Sequence, residues 1–194
     1  MQTLSKSEIK RKALIKATMS LVINNGFHAA PMSKIAKMAN VSPGTIYLYF
    51  ENKQDLINKV YLEIKASFAN YAFMNYNDNM EVKEGFENIW KQIADFKLMQ
   101  VDEALFLSQC DNTPMIDEES KKEGIKHLQP LLDLWKRGQE QGVIKKCCHY
   151  VLYAYTIYPL AFLMNAKQNK DITINEQYIQ DAFSLAWDSI KQSK

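Results

Sequence analysis

"MSKIAKMANVSPGTIYLYF", residues 32–50, places two apolar-periodic segments on either side of the string ANVSPG. Ile35, Ala36 and Ala39 share one face of a short helix over 32–39. At about 100° per residue, Ile46 and Phe50 share one face of a second helix over 43–50. Ser42 suits the N-cap of that helix, because its hydroxyl accepts from a first-turn amide. Pro43 follows at the first helical position, where a missing N–H is harmless and a fixed φ is already helical. Gly44 then leaves the start of the helix bare. Helix, tight turn, helix is the layout of a helix-turn-helix. Thr45, Leu48 and Tyr49 lie opposite Ile46 and Phe50, with Tyr47 on the flank. Such a row has little use unless something outside the chain touches it. Hydroxyls can donate to phosphates, and a Leu or Thr methyl can meet a thymine methyl. The same pattern fits an ordinary αα corner with half-buried tyrosines.

Outward from this unit, helical period continues in both directions. Residues 5–25 put Ile9, Leu14, Ala17, Leu21 and Val22 near one face, and Gly26 is the expected stop. A long helix starts near Lys53, with Asn52 as cap and Asp55 in the place of a capping-box acid. Further helices are predicted over 79–97, 100–111, 117–141 (bent at Pro130 and ended by Gly142), 147–167 and 175–193. The last carries a clean stripe of Ile179, Ala182, Phe183, Ala186, Trp187 and Ile190. No alternating strand is evident. The 47% hydrophobic content supports a real core, and only 6 Gly and 5 Pro disfavour a turn-rich β fold. The expected fold is all-α, with about nine helices. A boundary near residue 50 divides a helix-turn-helix domain, 1–50, from a larger helical domain, 51–194.

Charge follows the same boundary. Residues 1–53 carry a net +6 and the remainder −4, inside a total of +2. A basic front on an acidic body points to a polyanion partner, although a solvated basic helix gives the same count. Lys34 and Lys53 open the helices before and after the 43–50 helix and are placed to hold a phosphate backbone. Cys110, Cys147 and Cys148 form neither an even disulfide framework nor CxxC metal spacing, which suits a reducing cytoplasm. No metal or other cofactor is expected. Cys147, Cys148 and His149 adjoin one another, but neighbours along a helix point apart, so they make a poor catalytic dyad; a thiol redox role is the rival to plain packing. His28, His127 and His149 are scattered, and no phosphate loop appears, so no catalytic residue is assigned. The stretch MQTLSKSEIKRK lacks a secretory apolar core. YVLYAYTIYPLAFLM, 150–164, is shorter than the ~20 residues of a spanning helix, so no membrane partner is expected. A helical ligand-binding or scaffold protein without DNA is the main rival class.

Over residues 9–56 the chain resembles the DNA-binding domain of tetracycline-repressor-like (TetR/AcrR-type) regulators. The resemblance rests on Gly26-Phe27, Ile35-Ala36, Ala39, Val41-Ser42, Gly44-Thr45-Ile46-Tyr47, Tyr49-Phe50, Lys53 and Leu56. Two positions depart from the family pattern. Pro31, as a first helical residue, replaces the usual capping Thr, with Ser33 as a substitute hydroxyl. Asn40 replaces a Gly and must tolerate a left-handed turn. The resemblance implies a homodimer, most often a repressor, on a palindromic double-stranded DNA operator. Residues 43–49 would enter the major groove. Ser42, Thr45, Tyr47, Tyr49 and Lys53 would hold phosphates, and Pro43, Gly44 and Leu48 would lie nearest the bases. It also implies a body that binds a small effector and pairs through its last two helices. Tyr61, Trp90, Phe106, Tyr155 and Phe162 are candidates to line a pocket for a hydrophobic, aromatic or amphipathic ligand, a cationic one included. Aromatics at helical spacing are more often plain core, and each of these fits that reading better. Tyr150, Tyr153, Tyr158, Phe162, Phe183 and Trp187 are the candidates for the dimer face.

Overall fold

Ser5 opens the first helix with a complete capping box. Its hydroxyl accepts from Glu8 N at 3.2 Å, and the Glu8 carboxylate accepts from Ser5 N at 2.7 Å. That helix, α1 (Lys6–Asn25), ends at Gly26, whose φ of +77° disfavours any L side chain. The computed structural model describes residues 5–170 and 172–193, the side chain of Asn112 excepted. The first four residues of MQTLSKSEIKRK therefore lie outside the described residues.

Among the described residues there are eleven helices and no strand. After α1 come α2 (Met32–Met38), α3 (Pro43–Ile46), α4 (Lys53–Ala72), α5 (Val82–Met99) and α6 (Val101–Asn112). They are followed by α7 (Glu118–Lys126), α8 (Gln129–Glu140), α9 (His149–Thr156), α10 (Pro159–Gln168) and α11 (Glu176–Ile190). The count exceeds the expected nine because prolines cut two predicted helices. The 117–141 segment is α7 and α8, with Pro130 in the first turn of α8. The 147–167 segment is α9 and α10, with Pro159 in the first turn of α10. A proline inside a helix lacks an N–H and crowds the carbonyl four residues back, whereas at a helix start it is tolerated.

The chain divides into two compact units. One comprises the residues up to Lys65 together with Asp102–Gly124. Here α1 packs on α2 and α2 on α3. Leu14, Val22, Ile35, Ile46, Phe50 and Leu56 are fully buried between them. Polar contacts tie α4 to the α6–α7 segment in this unit. Gln54 Nε2 donates to Met115 O at 2.9 Å, and Asn58 Nδ2 donates to the Asp117 carboxylate. Gln109 Nε2 donates to Ile23 O at 3.1 Å, which ties α6 to the end of α1.

The other unit comprises Ala66–Val101 and the residues from Ile125 on. α5 is its central element and packs against α8, α10 and α11. Phe86 lies 6.4 Å from Trp135, 6.0 Å from Phe183 and 6.0 Å from Trp187, ring to ring. Trp90 stands edge-on to Phe183 at 5.6 Å and donates its indole N–H to Thr156 O at 2.9 Å. The α11 stripe therefore turns inward onto α5, and burial of each large ring stabilises by roughly 1.5–3 kcal/mol. This corrects the expectation for two dimer-face candidates: Phe183 and Trp187 are buried in their own subunit.

Candidate nucleic-acid interface

The turn ahead of α3 follows from local chemistry. Asn40 adopts φ +55°, the left-handed value that the sequence position required. Ser42 is the N-cap, in extended conformation, and its Oγ accepts from Thr45 N at 3.2 Å. The same oxygen lies 2.8 Å from Thr45 Oγ1, so the two hydroxyls hold each other. Pro43 supplies no N–H and the cap takes that of Thr45, which leaves Gly44 with the first-turn amide that no side chain caps. α3 spans four residues before looser turns carry the chain to Tyr49, so the local N–H matters more than any macrodipole.

Ile46 and Phe50 are buried, as their spacing requires, and the other face is open. Leu48 is 82% exposed and Tyr47 57%. Thr45 and Tyr49 are half-buried. Ser42, Pro43 and Gly44 are exposed, and a Cβ built on Gly44 would meet nothing within 4 Å. Nothing in the chain requires a glycine there, so the bare surface is available to an outside molecule. The Tyr49 hydroxyl lies 3.1 Å from Ser7 Oγ and donates to Ser7 O at 3.3 Å, so α1 holds the phenol in place.

Around the α3 entry the chain forms an open hollow lined by Ser33, Lys37, Asn40, Val41, Ser42 and Pro43. Ser33 and Lys34 are exposed on the outer side of α2. Pro31 is the N-cap residue of α2 rather than its first helical residue, with ψ 152°, and makes no side-chain cap bond. Lys53 begins α4, where Asn52 Oδ1 accepts from Asp55 N at 2.9 Å and Asp55 Oδ2 accepts from Glu51 N at 3.0 Å. Its Nζ stands 4.1 Å above the centre of the Phe27 ring. Desolvation holds its ammonium below the usual lysine pKa. The sequence reading missed Lys37, Ser7 and Phe27. Lys37 lies three residues after Lys34, on the same exposed side of α2, and that spacing was the available signal. Phe27 was legible only as part of the Gly26-Phe27 pair that carries the family resemblance, and Ser7 carries no local signal.

The remaining candidates fall in several places. Tyr61 on α4 and Phe106 on α6 are buried in the first unit, and Trp90 is buried on α5 in the second. Tyr155 and Phe162 are 65% and 72% exposed, so within the single chain they line no enclosed pocket, contrary to expectation. Phe162 lies on the side of α10 opposite the buried Leu160 and Met164, and Tyr155 lies on the flank of α9 beside the buried Leu152 and Thr156. Tyr150 on α9 and Tyr158, the N-cap residue of α10, are exposed and Tyr153 is half-buried. Among the described residues no group of three or more His, Cys, Asp or Glu side chains is placed to hold a metal ion. None of the described helices is long and apolar enough to cross a membrane.

A short helix capped for entry, a bare glycine start, an exposed row of Tyr and Leu, and flanking lysines define a helix-turn-helix, DNA-binding transcriptional regulator. Residues 14–60 match the model for bacterial regulatory proteins of the tetR family, and residues 81–191 match the tetracyclin repressor-like C-terminal domain. The chain belongs to the TetR family. It is 23% identical over 180 residues to an uncharacterized HTH-type transcriptional regulator of Haemophilus influenzae, covering 92% of this chain and 94% of that one. It is 36% identical to the fatty acid metabolism regulator protein of Bacillus subtilis over 75 residues, 39% of each chain. Its fold is that of a TetR family regulator from Marinobacter aquaeolei, with TM-score 0.90 at 23% identity, covering 96% of this chain and 97% of the other. A Bacillus subtilis regulator, FadR, solved in complex with stearoyl-CoA, shares the fold at TM-score 0.70 and 19% identity, with 90% and 96% covered.

Proposed function

We propose that the protein is a ligand-responsive repressor that binds a palindromic operator as a homodimer and leaves it when a small hydrophobic effector binds. It has no enzymatic step and acts in the cytoplasm. DNA reading belongs to residues 1–50, and effector binding and dimerisation to 51–194. The observation that carries the DNA part is Gly44: exposed, uncrowded, and at the capped start of α3. Pro43, Gly44 and Leu48 approach the bases. Ser42, Thr45, Tyr47, Tyr49 and Lys53 hold phosphates, with Ser33 and Lys34 on the neighbouring backbone. The reading face lacks Arg, Gln and Asn, so bidentate base contacts are few. Specificity then comes from methyl contacts and from DNA shape.

Release requires that the effector bind one arrangement of the dimer better than the other. Tyr61 and Phe106, buried in the first unit, and, separately, Trp90, buried in the second, stay the candidates for meeting an apolar effector. Tyr150, Tyr153, Tyr155, Tyr158 and Phe162 supply the dimer face. A hydrophobic ligand class also agrees with the stearoyl-CoA bound by the structural neighbour. The test is selection of bound sequences from a random duplex pool, followed by release with a panel of aromatic amines and acyl thioesters. An inverted repeat with a tenfold or greater loss of affinity on effector addition supports the proposal. Enrichment of no sequence at all removes it.

A further inference from the structure

Lys53 stands at the N-terminal end of α4, where the helix dipole disfavours a cation. Among the described residues no carboxylate lies within ion-pair distance of its Nζ. Lys59, six residues further on, shows the alternative: it is paired to Asp55 at 2.8 Å, and its charge is locally cancelled. What Lys53 has instead is an aromatic face. The Gly26 turn, in its left-handed conformation, ends α1 and sets Phe27 immediately after it. Phe27 is half-buried, its ring is edge-on to His28 at 5.4 Å, and its face lies 4.1 Å from the Lys53 ammonium. A ring attracts a cation through its quadrupole and accepts no conventional hydrogen bond. It therefore pins the ammonium without neutralising it and leaves the N–H donors that point away from the ring for an outside acceptor.

We propose that Phe27 is a positioning residue for DNA binding: its ring face holds the Lys53 ammonium, charged and with free donors, where a backbone phosphate docks. This rests on the assignment of Lys53 as a phosphate contact. Phe27 itself touches no DNA. A flexible lysine that is already placed loses less side-chain freedom on binding, and that saving is the ring's contribution.

The test is a double-mutant cycle on operator affinity using Phe27→Leu and Lys53→Ala, with the salt dependence measured for each. Phe27→Leu is expected to weaken binding about two- to fivefold per half-site, the ratio that an exposed cation–π contact of about 0.5–1 kcal/mol produces. It should also flatten the salt slope, toward the loss of about 0.9 per half-site that removing one phosphate contact gives. In the Lys53→Ala background the same change should do nothing further, and Phe27→Trp should restore wild-type binding. Equal weakening in both backgrounds, or none in either, overturns the proposal. A measurement on the wild type stands apart from operator binding and from the folding of any variant: proton NMR should show the Lys53 ε-methylene shifted upfield by the ring current. An unshifted methylene overturns the platform even if DNA binds. A shifted methylene with no phosphate-dependent binding overturns the docking role and with it the assignment of Lys53.

Discussion

At the scale of single residues, Gly44 separates stability from function. Its φ is not positive and a methyl group there would be unobstructed, so only the flexibility of glycine opposes the fold. Gly44→Ala should raise stability by about 0.4–1 kcal/mol in chemical denaturation. The same methyl group should weaken operator binding, measured by fluorescence anisotropy, because backbone can no longer approach the groove. A variant that is stabilised and binds normally would show that DNA does not come near this atom. Cysteine reactivity is set at the same scale. Cys110 is buried and burial pushes its thiol well up, whereas Cys148 is exposed and Cys147 partly so. Mass spectrometry after alkylation of the native protein at neutral pH should find Cys147 and Cys148 modified and Cys110 intact. Labelling of Cys110 without unfolding would contradict its burial.

At the scale of elements, a packed glycine shows where two helices are pressed together. A Cβ on Gly124 of α7 would lie 2.5 Å from the Tyr61 hydroxyl oxygen of α4 and 2.9 Å from its Cζ. A ring wedged in a core yields less than a flexible chain end, so Gly124→Ala should destabilise by about 1–3 kcal/mol. The thermal midpoint should fall accordingly, and a midpoint at or above that of the wild type would show that Tyr61 swings clear. The start of α7 also depends on pH. Its N–H donor Ser120 bonds Asp117 Oδ1 at 2.8 Å, and this, with Asn58, holds the Asp117 carboxyl below its usual pKa. A lowered carboxylate pKa contributes stability that is present above the ordinary value and is lost as pH falls through the folded one. Asp117→Asn should therefore flatten the decline in stability below about pH 4, followed by circular dichroism. An unchanged acid limb would place the origin elsewhere.

Much at this scale was legible in the primary structure. Caps and stops at Ser42, Pro43, Gly26, Asn52 and Gly142 depend on neighbours within four residues, and all sit at helix ends as read. Pro130 and Pro159 were visible too, but a proline inside an apolar run is compatible with a bend or with a new start, and only packing decides between them. Illegible were contacts that join distant parts of the chain. Tyr49 to Ser7 spans 42 residues and Lys53 to Phe27 spans 26, and no periodic pattern encodes either. The α11 stripe taught a different limit. Periodicity shows that a face is buried and is silent on what buries it, so Phe183 and Trp187 read equally well as dimer face and as core.

At the scale of the whole molecule, that distinction becomes an experiment. Phe162 at 72% exposure, Tyr150 at 70%, Tyr155 at 65% and Tyr158 at 55% are large exposed side chains on α9, α10 and their junction, and Leu185 on α11 is 73% exposed. Single exposed rings are ordinary on soluble proteins, whereas several on consecutive helices mark a surface that another molecule covers. Under the proposed homodimer, Phe162→Glu places a charge in that covered face and leaves the core alone. Sedimentation should then report a monomer at micromolar concentration, with helical content unchanged and operator affinity strongly reduced, since two half-sites are no longer read together. Phe183→Ala supplies the contrast, because it empties space beside Phe86 and Trp90 and should lower stability by about 3–5 kcal/mol. If association drives the binding, Phe162→Glu loses DNA while melting as a folded chain, and Phe183→Ala loses it only as the chain unfolds. A Phe162→Glu protein that remains dimeric and binds operator normally would move the dimer face off α9 and α10.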